Sequence, residues 1–494
     1  MRLTVCVIIF SLLIMGSTSG TADAATVIRD TQGMVPLGQG IVSGVPYVWQ
    51  EINGFCNWAG TSILLQSVGV DADLHDVLAL TGVGFSFAYI RYNDTILIYP
   101  GAFFQQIFPV KFVTDLYGLN YTLYFGDQVP SAESQLEQLR QMGVNAGLIR
   151  SSSEAFSLIR SSIDSGNPVL ISVDPRWLPI SDYDILRARN QTGGGHGVVV
   201  VGYDDTAGTV TIIDPGVGSF GADFGYPYDG RGNYSQISYT ALESAWSSRY
   251  YISVIIKPGG TPVADATSQI GPYVRDLLLG DSQRYAPGSQ SAFLWSFGER
   301  GFRKMSADMT ADVIRGYLGI FDGIANERQF KTALLRYIGI GIEAQVTLQY
   351  LAYRAALYRL PKYLVGVNLT EFIQKGELAL PHFAALSNNK TLIDPGNLTA
   401  CDGLASTVLR QIAEHYNSTG NIDVALETYS QGLAELSSHL LGIADSWRDA
   451  GLELAEIWPN DFITVYGPYI VVGGVVVGLV VVLAFWYTKR RPSQ

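Results

Sequence analysis

Four residues in the first half of the chain have the types and order of a thiol-based site for acyl chemistry: Gln50, Cys56, His196 and Asp214. Cys56 lies in the stretch GFCNWAGTSILL, where a run of helix-forming residues begins. A thiol at a helix N-terminus lies at the positive end of the helix dipole, which favours the nucleophilic thiolate. The N–H groups of the first helical turn and the side-chain amide of Gln50 are donors for an oxyanion. The pattern therefore predicts a nucleophilic cysteine.

A thiolate nucleophile also needs a base and a group that orients the base. The first half of the chain contains two histidines, His75 and His196. His75 has acidic neighbours in DADLHDVLAL, which is typical of a surface helix, whereas His196 follows three glycines and opens the run HGVVVVGYD. We therefore expect His196 to be the base.

The position of Asp214 follows from a predicted hairpin. The strands VVVVGY and TVTIID are joined by the short segment DDTAG, a pattern that indicates a tight β-turn. Pairing that is symmetric about Thr206 puts Val198 opposite Asp214, so that Asp214 and His196 are diagonal neighbours on one face. Asp214 would then orient the imidazole. A shift of one residue in this register would put the two side chains on opposite faces.

Each of these residues also has a purely structural explanation. A single cysteine is often a small buried hydrophobic residue, and a histidine at a strand start is often structural. The chain has three cysteines, and Cys6 lies in a segment that is expected to be removed. A disulfide between Cys56 and Cys401 is therefore an alternative. The joint occurrence of Gln, Cys, His and Asp favours a catalytic site.

Both ends of the chain indicate a protein outside a membrane. Residues 1–24 combine Arg2, an apolar run and small residues, as in a secretory signal. Residues 467–487 are an uncharged apolar run that is long enough to span a bilayer, and the basic tail 488–494 follows. Gly474 and Gly478 form a GxxxG pattern, through which two such helices can dimerise. We therefore predict a single-pass cell-surface protein with an external body and a cytoplasmic tail.

Glycosylation signals and charge agree with an external location. Eight of the sixteen asparagines begin an Asn-x-Ser/Thr sequon, which predicts N-linked glycans. These are Asn93, Asn120, Asn190, Asn233, Asn368, Asn389, Asn397 and Asn417. The net charge is −12, and Lys and Arg form a run only in the tail, so we expect no nucleic-acid partner.

The external body is too long for one core, and its composition changes near the segment KPGGTPVADATSQ. Residues 25–258 alternate β-branched runs with Gly-, Pro- and Asp-rich turns, which indicates an α+β domain with an antiparallel sheet. Residues 259–269 are the predicted linker. Residues 270–460 are predicted to be a helical domain without strands, with long helices near 329–360 and 422–454.

Two finer predictions concern this second domain. Apolar residues at helical spacing predict one continuous helix through Val313, Tyr317, Ile320, Phe321 and Ile324. Its three histidines are scattered without the spacing of metal ligands, namely His382, His415 and His439. We therefore predict no metal and no cofactor.

The first domain resembles the papain-like superfamily, and more closely its double-glycine-leader-peptidase-like branch, in which Gln, Cys, His and Asp occur in this order. A narrower likeness is to the N-terminal domain of the butirosin biosynthesis protein H family. It rests on TGVGFSFAYI at 81–90, on NPVLISVDPRWLP and on GGGHGVVVVGYDD. The likeness covers about 45–257, and family members also have a helical C-terminal domain. One departure is Asn57, where the residue after the nucleophile is usually Gly.

The resemblance implies a papain-like fold with an N-terminal catalytic helix. It also implies Cys56 as nucleophile, His196 as base, Asp214 as the orienting carboxylate and Gln50 as oxyanion donor. We therefore expect a membrane-anchored extracellular cysteine hydrolase that cleaves peptide or amide bonds through a thioester acyl-enzyme. Two alternatives stay open: a cysteine-dependent acyltransferase of the butirosin protein H type, and a non-catalytic binding or structural module on the same fold.

Overall fold

The computed structural model describes residues 38–92, 95–100, 109–141, 143–190, 192, 194–217, 231–280, 293–388 and 401–459. The predicted signal (1–24), the predicted membrane span (467–487) and the tail lie outside these residues. Within the described ranges, no helix combines the length and the apolar character that a membrane crossing requires.

Strands make up two sheets. They are β1 (Gln39–Ile41), β2 (Phe87–Tyr92), β3 (Thr95–Pro100), β4 (Leu119–Gly126), β5 (Asn145–Ile149), β6 (Val169–Val173), β7 (His196–Asp204), β8 (Thr209–Ile213), β9 (Ser235–Ser238), β10 (Ser253–Pro258) and β11 (Phe293–Phe297).

Helices of the first half are short. They are α1 (Cys56–Ser67), α2 (Leu74–Leu80), α3 (Pro109–Leu116), α4 (Ala132–Gln141), α5 (Ser152–Asp164), α6 (Asp184–Ala188) and α7 (Tyr239–Ser247). Longer helices dominate the second half. They are α8 (Thr267–Leu279), α9 (Gly298–Asp308), α10 (Ala311–Gly319), α11 (Glu327–Arg359), α12 (Thr370–Glu377), α13 (Leu380–Leu386), α14 (Leu404–Thr419), α15 (Ile422–Thr428) and α16 (Ser430–Ile457).

The described chain divides into two compact units that are interleaved in the sequence. The sheet unit contains 38–77 and Thr114–Pro262, and the helical unit contains Leu78–Val113 and the chain from Val263 onward. The boundary at Pro262 lies within the linker that the sequence predicts. The segment Leu78–Val113 differs from the prediction, which places it in the first domain.

The sheet unit is built on eight described strands. Seven of them lie in the order β5-β4-β10-β6-β7-β8-β9, and the eighth, β1, pairs with the C-terminal end of β7. Neighbouring strands are antiparallel, except that β4 and β5 are parallel. Strand β7 is buried from His196 to Tyr203 because helices cover both faces of the sheet. Helix α1 packs on one face, and α5 and α7 pack on the other. The predicted α+β domain with a mainly antiparallel sheet is confirmed.

The hairpin of β7 and β8 contains an irregularity. Near the turn, Asp204 pairs with Thr209, so the loop has four residues, 205–208. Beyond a register shift between Val200 and Gly202, Val199 pairs with Ile213. Val201 is thus an extra residue that restores the pairing predicted from symmetry about Thr206. Without this bulge the strands would be one residue out of register at their other end.

The helical unit contains a three-stranded sheet with the order β11-β2-β3. Strands β2 and β3 come from the inserted segment, and its aromatic side chains pack into the helical core. The Phe87 ring stacks on Phe302 at 3.8 Å between centroids, and the Tyr89 hydroxyl donates to Asp308 at 2.8 Å. Strand pairing and burial of these rings explain why Leu78–Val113 belongs to the helical unit.

Two predictions for the second domain were wrong in detail. Helix α10 ends at Gly319, and Ile320 and Ile324 lie beyond it with exposed side chains. The domain also contains strand β11, although the sequence predicts helices alone. An apolar residue every three or four positions does not show where a turn ends the helix.

The histidines of the helical unit are also closer together than the sequence indicates. Helices α13 and α16 bring the Nδ1 atoms of His382 and His439 to 3.0 Å from each other. Burial of the His382 ring, and then the neighbouring charge of His439, lower the pKa of His382 below its usual 6.5. Among the described residues, no three His, Cys, Asp or Glu side chains are arranged to hold a metal ion.

Candidate active site

Cys56 is the first residue of helix α1, as the sequence predicts. The N-cap residue, Phe55, makes no capping hydrogen bond through its side chain, and the first turn of the helix contains no acidic residue. The Cys56 side chain is only 6% exposed. The thiol thus lies at the positive end of the helix dipole, where the N–H groups of a first turn favour a negatively charged oxygen.

Small residues let this helix start approach the sheet. A Cβ atom at Gly197 would lie 2.5 Å from Oδ1 and 3.3 Å from Cα of Asn57. A Cβ at Gly60 would lie 2.5 Å from the Leu170 side chain. Asn57 follows Cys56 and Gly197 follows His196, so the close packing of these two residues brings the thiol to the strand that carries the imidazole.

His196 and Asp214 form a buried hydrogen-bonded pair. The His196 Nε2 atom lies 2.7 Å from Asp214 Oδ1, and the backbone N–H of Gly216 donates to the same oxygen at 2.8 Å. The Asp214 side chain has no solvent exposure, and His196 is 5% exposed. Because Nε2 is bound to Asp214, Nδ1 is the ring atom left to exchange a proton with Cys56.

The surroundings of His196 favour the imidazolium. Burial opposes protonation, but the charge and hydrogen bond of Asp214, together with the hydrogen bond and charge of Cys56, raise the pKa of His196 from 6.5 to about 10. A raised folded-state pKa stabilises the protein most below pH 6.5, and this stabilisation is lost as the pH rises towards 10. The ring is therefore protonated at neutral pH and can act as a general acid.

Gln50 lies close to the same loop. Its backbone N–H donates to the carbonyl of Pro215, the residue after Asp214, at 3.0 Å, and its side chain is fully buried. The fold therefore brings the segment of Gln50 to the carboxylate end of the predicted site. The other histidine of this unit, His75, lies 3.0 Å from Glu51 and is partly exposed, as expected for a surface residue.

The structure does not contain the alternative disulfide. Cys56 and Cys401 are both buried, and no disulfide joins them. Cys56 instead lies near His196, and its thiol contributes to the raised pKa of that histidine. A thiol, an imidazolium and a carboxylate in this order are the groups that nucleophilic attack on an acyl carbon requires.

Two residues of the site cannot be found by spacing in the sequence. The Tyr183 hydroxyl lies 3.1 Å from His196 Nε2 and donates to Asp214 Oδ2 at 2.9 Å. A Cβ at Gly216 would lie 2.5 Å from Cε1 of His196 and 3.0 Å from the Tyr183 oxygen. Both residues lie in irregular segments, where no periodicity relates sequence to position. The only signal for Gly216 is the DPG turn that follows strand β8.

Comparisons with known proteins concern the first half of the chain. A family model described as the Peptidase_C39 like family matches residues 42–245, which include all four predicted site residues. A solved structure of a Bacillus anthracis protein assigned to the C39-like peptidases aligns with 15% identity and a TM-score of 0.27, covering 45% of this chain and 100% of the other. A search of the curated proteins gave no match. The narrower likeness to the butirosin biosynthesis protein H family stays a prediction.

The family match fits the architecture and the residues together. It spans the strands and the helix that carry Cys56, His196 and Asp214, and it ends within α7. The match covers less than half of the chain, because the helices beyond Pro262 lie outside it. Residues 42–245 therefore match the peptidase C39-like family, which supports a papain-like peptidase fold for this part of the chain.

Proposed function

We propose that the sheet unit is a cysteine hydrolase that cleaves peptide or amide bonds through a thioester acyl-enzyme. The observation that carries this proposal is the buried, hydrogen-bonded pair of His196 and Asp214, with the buried Cys56 close enough to the imidazole to raise its pKa. A protonated imidazole beside a thiol supports a thiolate and imidazolium pair, the reactive state of a nucleophilic cysteine.

In the first half of the reaction, the Cys56 thiolate adds to the carbonyl carbon. The oxyanion of the tetrahedral intermediate accepts hydrogen bonds from the first turn of α1 and from the side-chain amide of Gln50. The imidazolium of His196 gives its Nδ1 proton to the leaving amine, the C–N bond breaks, and a thioester remains on Cys56. Asp214 keeps the ring oriented through Nε2.

In the second half, water replaces the amine. Neutral His196 removes a proton from the water as the oxygen attacks the thioester carbon. Collapse of the second tetrahedral intermediate breaks the C–S bond and releases the carboxylic acid, while the sulfur leaves as the thiolate. The family match to peptidases supports water as acyl acceptor, and no comparison specifically supports the acyltransferase alternative.

Selective alkylation of Cys56 tests this proposal. The folded protein is treated with a limiting amount of iodoacetamide at pH 7, and labelling of Cys56 and Cys401 is followed by peptide mass spectrometry. Cys401 is an internal control, since it is also a buried thiol. We expect Cys56 to react at least ~10-fold faster, because the imidazolium stabilises its thiolate.

The two cysteines should react at similar rates in denaturant, and His196→Gln should slow the labelling of Cys56 in the folded protein. Equal labelling of Cys56 and Cys401 in the folded wild type would favour the non-catalytic alternative.

We also propose that this domain lies at the cell surface, held by residues 467–487 and carrying N-linked glycans. The sequon asparagines within the described ranges support this, because each is exposed: Asn120, Asn190, Asn233, Asn368 and Asn417. The full chain, expressed in eukaryotic cells, should become smaller on gels after peptide-N-glycosidase treatment and should be cleaved by protease added to intact cells. An unchanged mobility together with full protection from the protease would contradict this location.

A further inference from the structure

The phenol of Tyr183 lies at the back of the candidate site. Its side chain has no solvent exposure, and its oxygen is within hydrogen-bonding distance of both His196 Nε2 (3.1 Å) and Asp214 Oδ2 (2.9 Å). The hydroxyl hydrogen is donated to the carboxylate, because an ionised carboxylate can only accept. The phenol therefore contacts both members of the buried pair.

The Asp214 carboxylate requires the hydrogen bond that Tyr183 donates. A fully buried carboxylate must have hydrogen bonds to its oxygens. Oδ1 is close to His196 Nε2 and to the N–H of Gly216, whereas Oδ2 accepts from Tyr183. The phenol thus fixes the rotation of the carboxylate about its own axis, and this rotation decides which oxygen faces the imidazole.

The segment that carries Tyr183 is held in place on both sides. Tyr183 ends the turn Ser181–Tyr183, which leads into α6. Downstream, the Arg187 guanidinium donates to the carbonyls of Leu178 and Ile180, the latter at 2.9 Å. Upstream of Tyr183, the Asp182 carboxylate pairs with Arg231 at 2.9 Å. These bonds tie an irregular segment to itself and to the residues after β8.

The electrostatics make Tyr183 a permanent donor. Burial, and then the charges of Asp214, Asp182 and Cys56, raise the pKa of Tyr183 well above 10.0. The phenol therefore keeps its proton at neutral pH. It is not a general acid or base, and its effect on the reaction must act through Asp214 and His196.

We propose that Tyr183 is a positioning residue of the site, which holds Asp214 Oδ1 towards His196 and disperses part of the carboxylate charge. This proposal rests on the proposed cysteine hydrolase and adds a fourth residue to it. When the hydroxyl is removed, the charge of Asp214 acts more strongly on the imidazolium. The ring then becomes a weaker acid, and the leaving amine is protonated more slowly.

The test compares Tyr183→Phe with Tyr203→Phe. Tyr203 is a matched control, because its hydroxyl also donates to an aspartate, Asp164, at 2.8 Å, and it lies near the other end of strand β7. The chain contains five histidines, so ¹³C-labelled histidine gives few signals, and the ring of His196 can be titrated directly by NMR. The wild-type ring should titrate at about pH 10.

We expect Tyr183→Phe to raise the pKa of His196 by ~0.5 or more and to lower kcat about 10-fold with KM unchanged. Tyr203→Phe should change none of these values. A residue that only supports packing would lower stability without moving the titration. An unchanged His196 titration in folded Tyr183→Phe would overturn the proposal.

A second variant covers the case in which Tyr183→Phe does not fold. 3-Fluorotyrosine at position 183 keeps the shape of the ring but is a stronger donor, so it should move the His196 pKa downward. A titration equal to that of the wild type would again overturn the proposal. The labelling of Cys56 separates the two proposals: equal reactivity of Cys56 and Cys401 in the wild type contradicts the hydrolase itself, whatever the tyrosine variants show.

Discussion

Replacing Cys56 by alanine should abolish turnover, with a loss of at least ~10³-fold in kcat, because the proposed acyl-enzyme forms on the sulfur of Cys56. The fold should survive, since the change removes one sulfur atom from a small buried side chain. The measurement is the release of amine from a peptide or amide substrate, together with a thermal melt of each variant.

Cys401→Ala is the matched control for this substitution. It makes the same chemical change at the other buried thiol, in the helical unit. We expect its turnover to equal that of the wild type, and both variants should show similar, small changes in Tm. Turnover that survived in Cys56→Ala would exclude the thiol mechanism, and a loss in both variants would indicate a structural cause.

Gly216→Ala should lower kcat by about 100-fold, because small displacements of catalytic groups have effects of this size. The added Cβ would lie 2.5 Å from His196 Cε1 and 3.0 Å from both His196 Nε2 and the Tyr183 oxygen. The imidazole and the phenol are both buried, so neither can move into solvent. The ring must shift away from Asp214 or from Cys56. Both kcat and the labelling rate of Cys56 should be measured.

Gly341→Ala is the control for Gly216→Ala. Gly341 lies within helix α11, and a Cβ there would meet nothing within 4 Å. Alanine at this position should leave turnover unchanged and raise the free energy of unfolding by about 0.5–1 kcal/mol, as for other glycines within helices. Wild-type activity in Gly216→Ala would mean that the close packing around His196 does not determine the position of the ring.

The core of the site was predictable because each residue has a local signal. Cys56 begins a helix, His196 begins a strand, and Asp214 follows from counting residues along a hairpin. That counting gave the observed pairing of Val199 with Ile213. The turn is shorter than the sequence indicates, and the extra residue at the bulge, Val201, compensates for the difference. No rule of turn geometry places such a bulge from the sequence alone, and without it Asp214 would lie on the opposite face from His196.

Tyr183 was not predictable for a different reason. Its contact with Asp214 depends on how an irregular segment folds over the start of strand β7, and such segments have neither helical nor strand periodicity. The hydrogen bonds that fix this segment run from Arg187 to backbone carbonyls, which are present at every residue and so carry no sequence signal. The contact between Tyr183 and Asp214 can therefore be found only from the tertiary structure.

The sequence could not show that Leu78–Val113 groups with the helical unit, because a strand pattern does not indicate which strand it pairs with. The run FAYIRY in β2 is compatible with either sheet. Its partner β11 begins at Phe293, far along the chain, so only the fold shows which sheet it joins. The motif TGVGFSFAYI lies in this insertion, where a Cβ at Gly84 would lie 2.3 Å from Ala356. In this chain the motif serves close packing against helix α11.

This interleaved order has a consequence for how the protein is made. Strands β2 and β3 leave the ribosome early, but the third strand of their sheet is encoded much later. At about 5–20 residues per second, the roughly 180 residues between Val113 and Phe293 take about 10 to 40 seconds to synthesise. During that interval one edge of β2 and the rings of Phe85 and Phe87 have no helical core to cover them. The nascent chain should therefore bind chaperones at this early segment, and release should follow only after strand β11 has been translated.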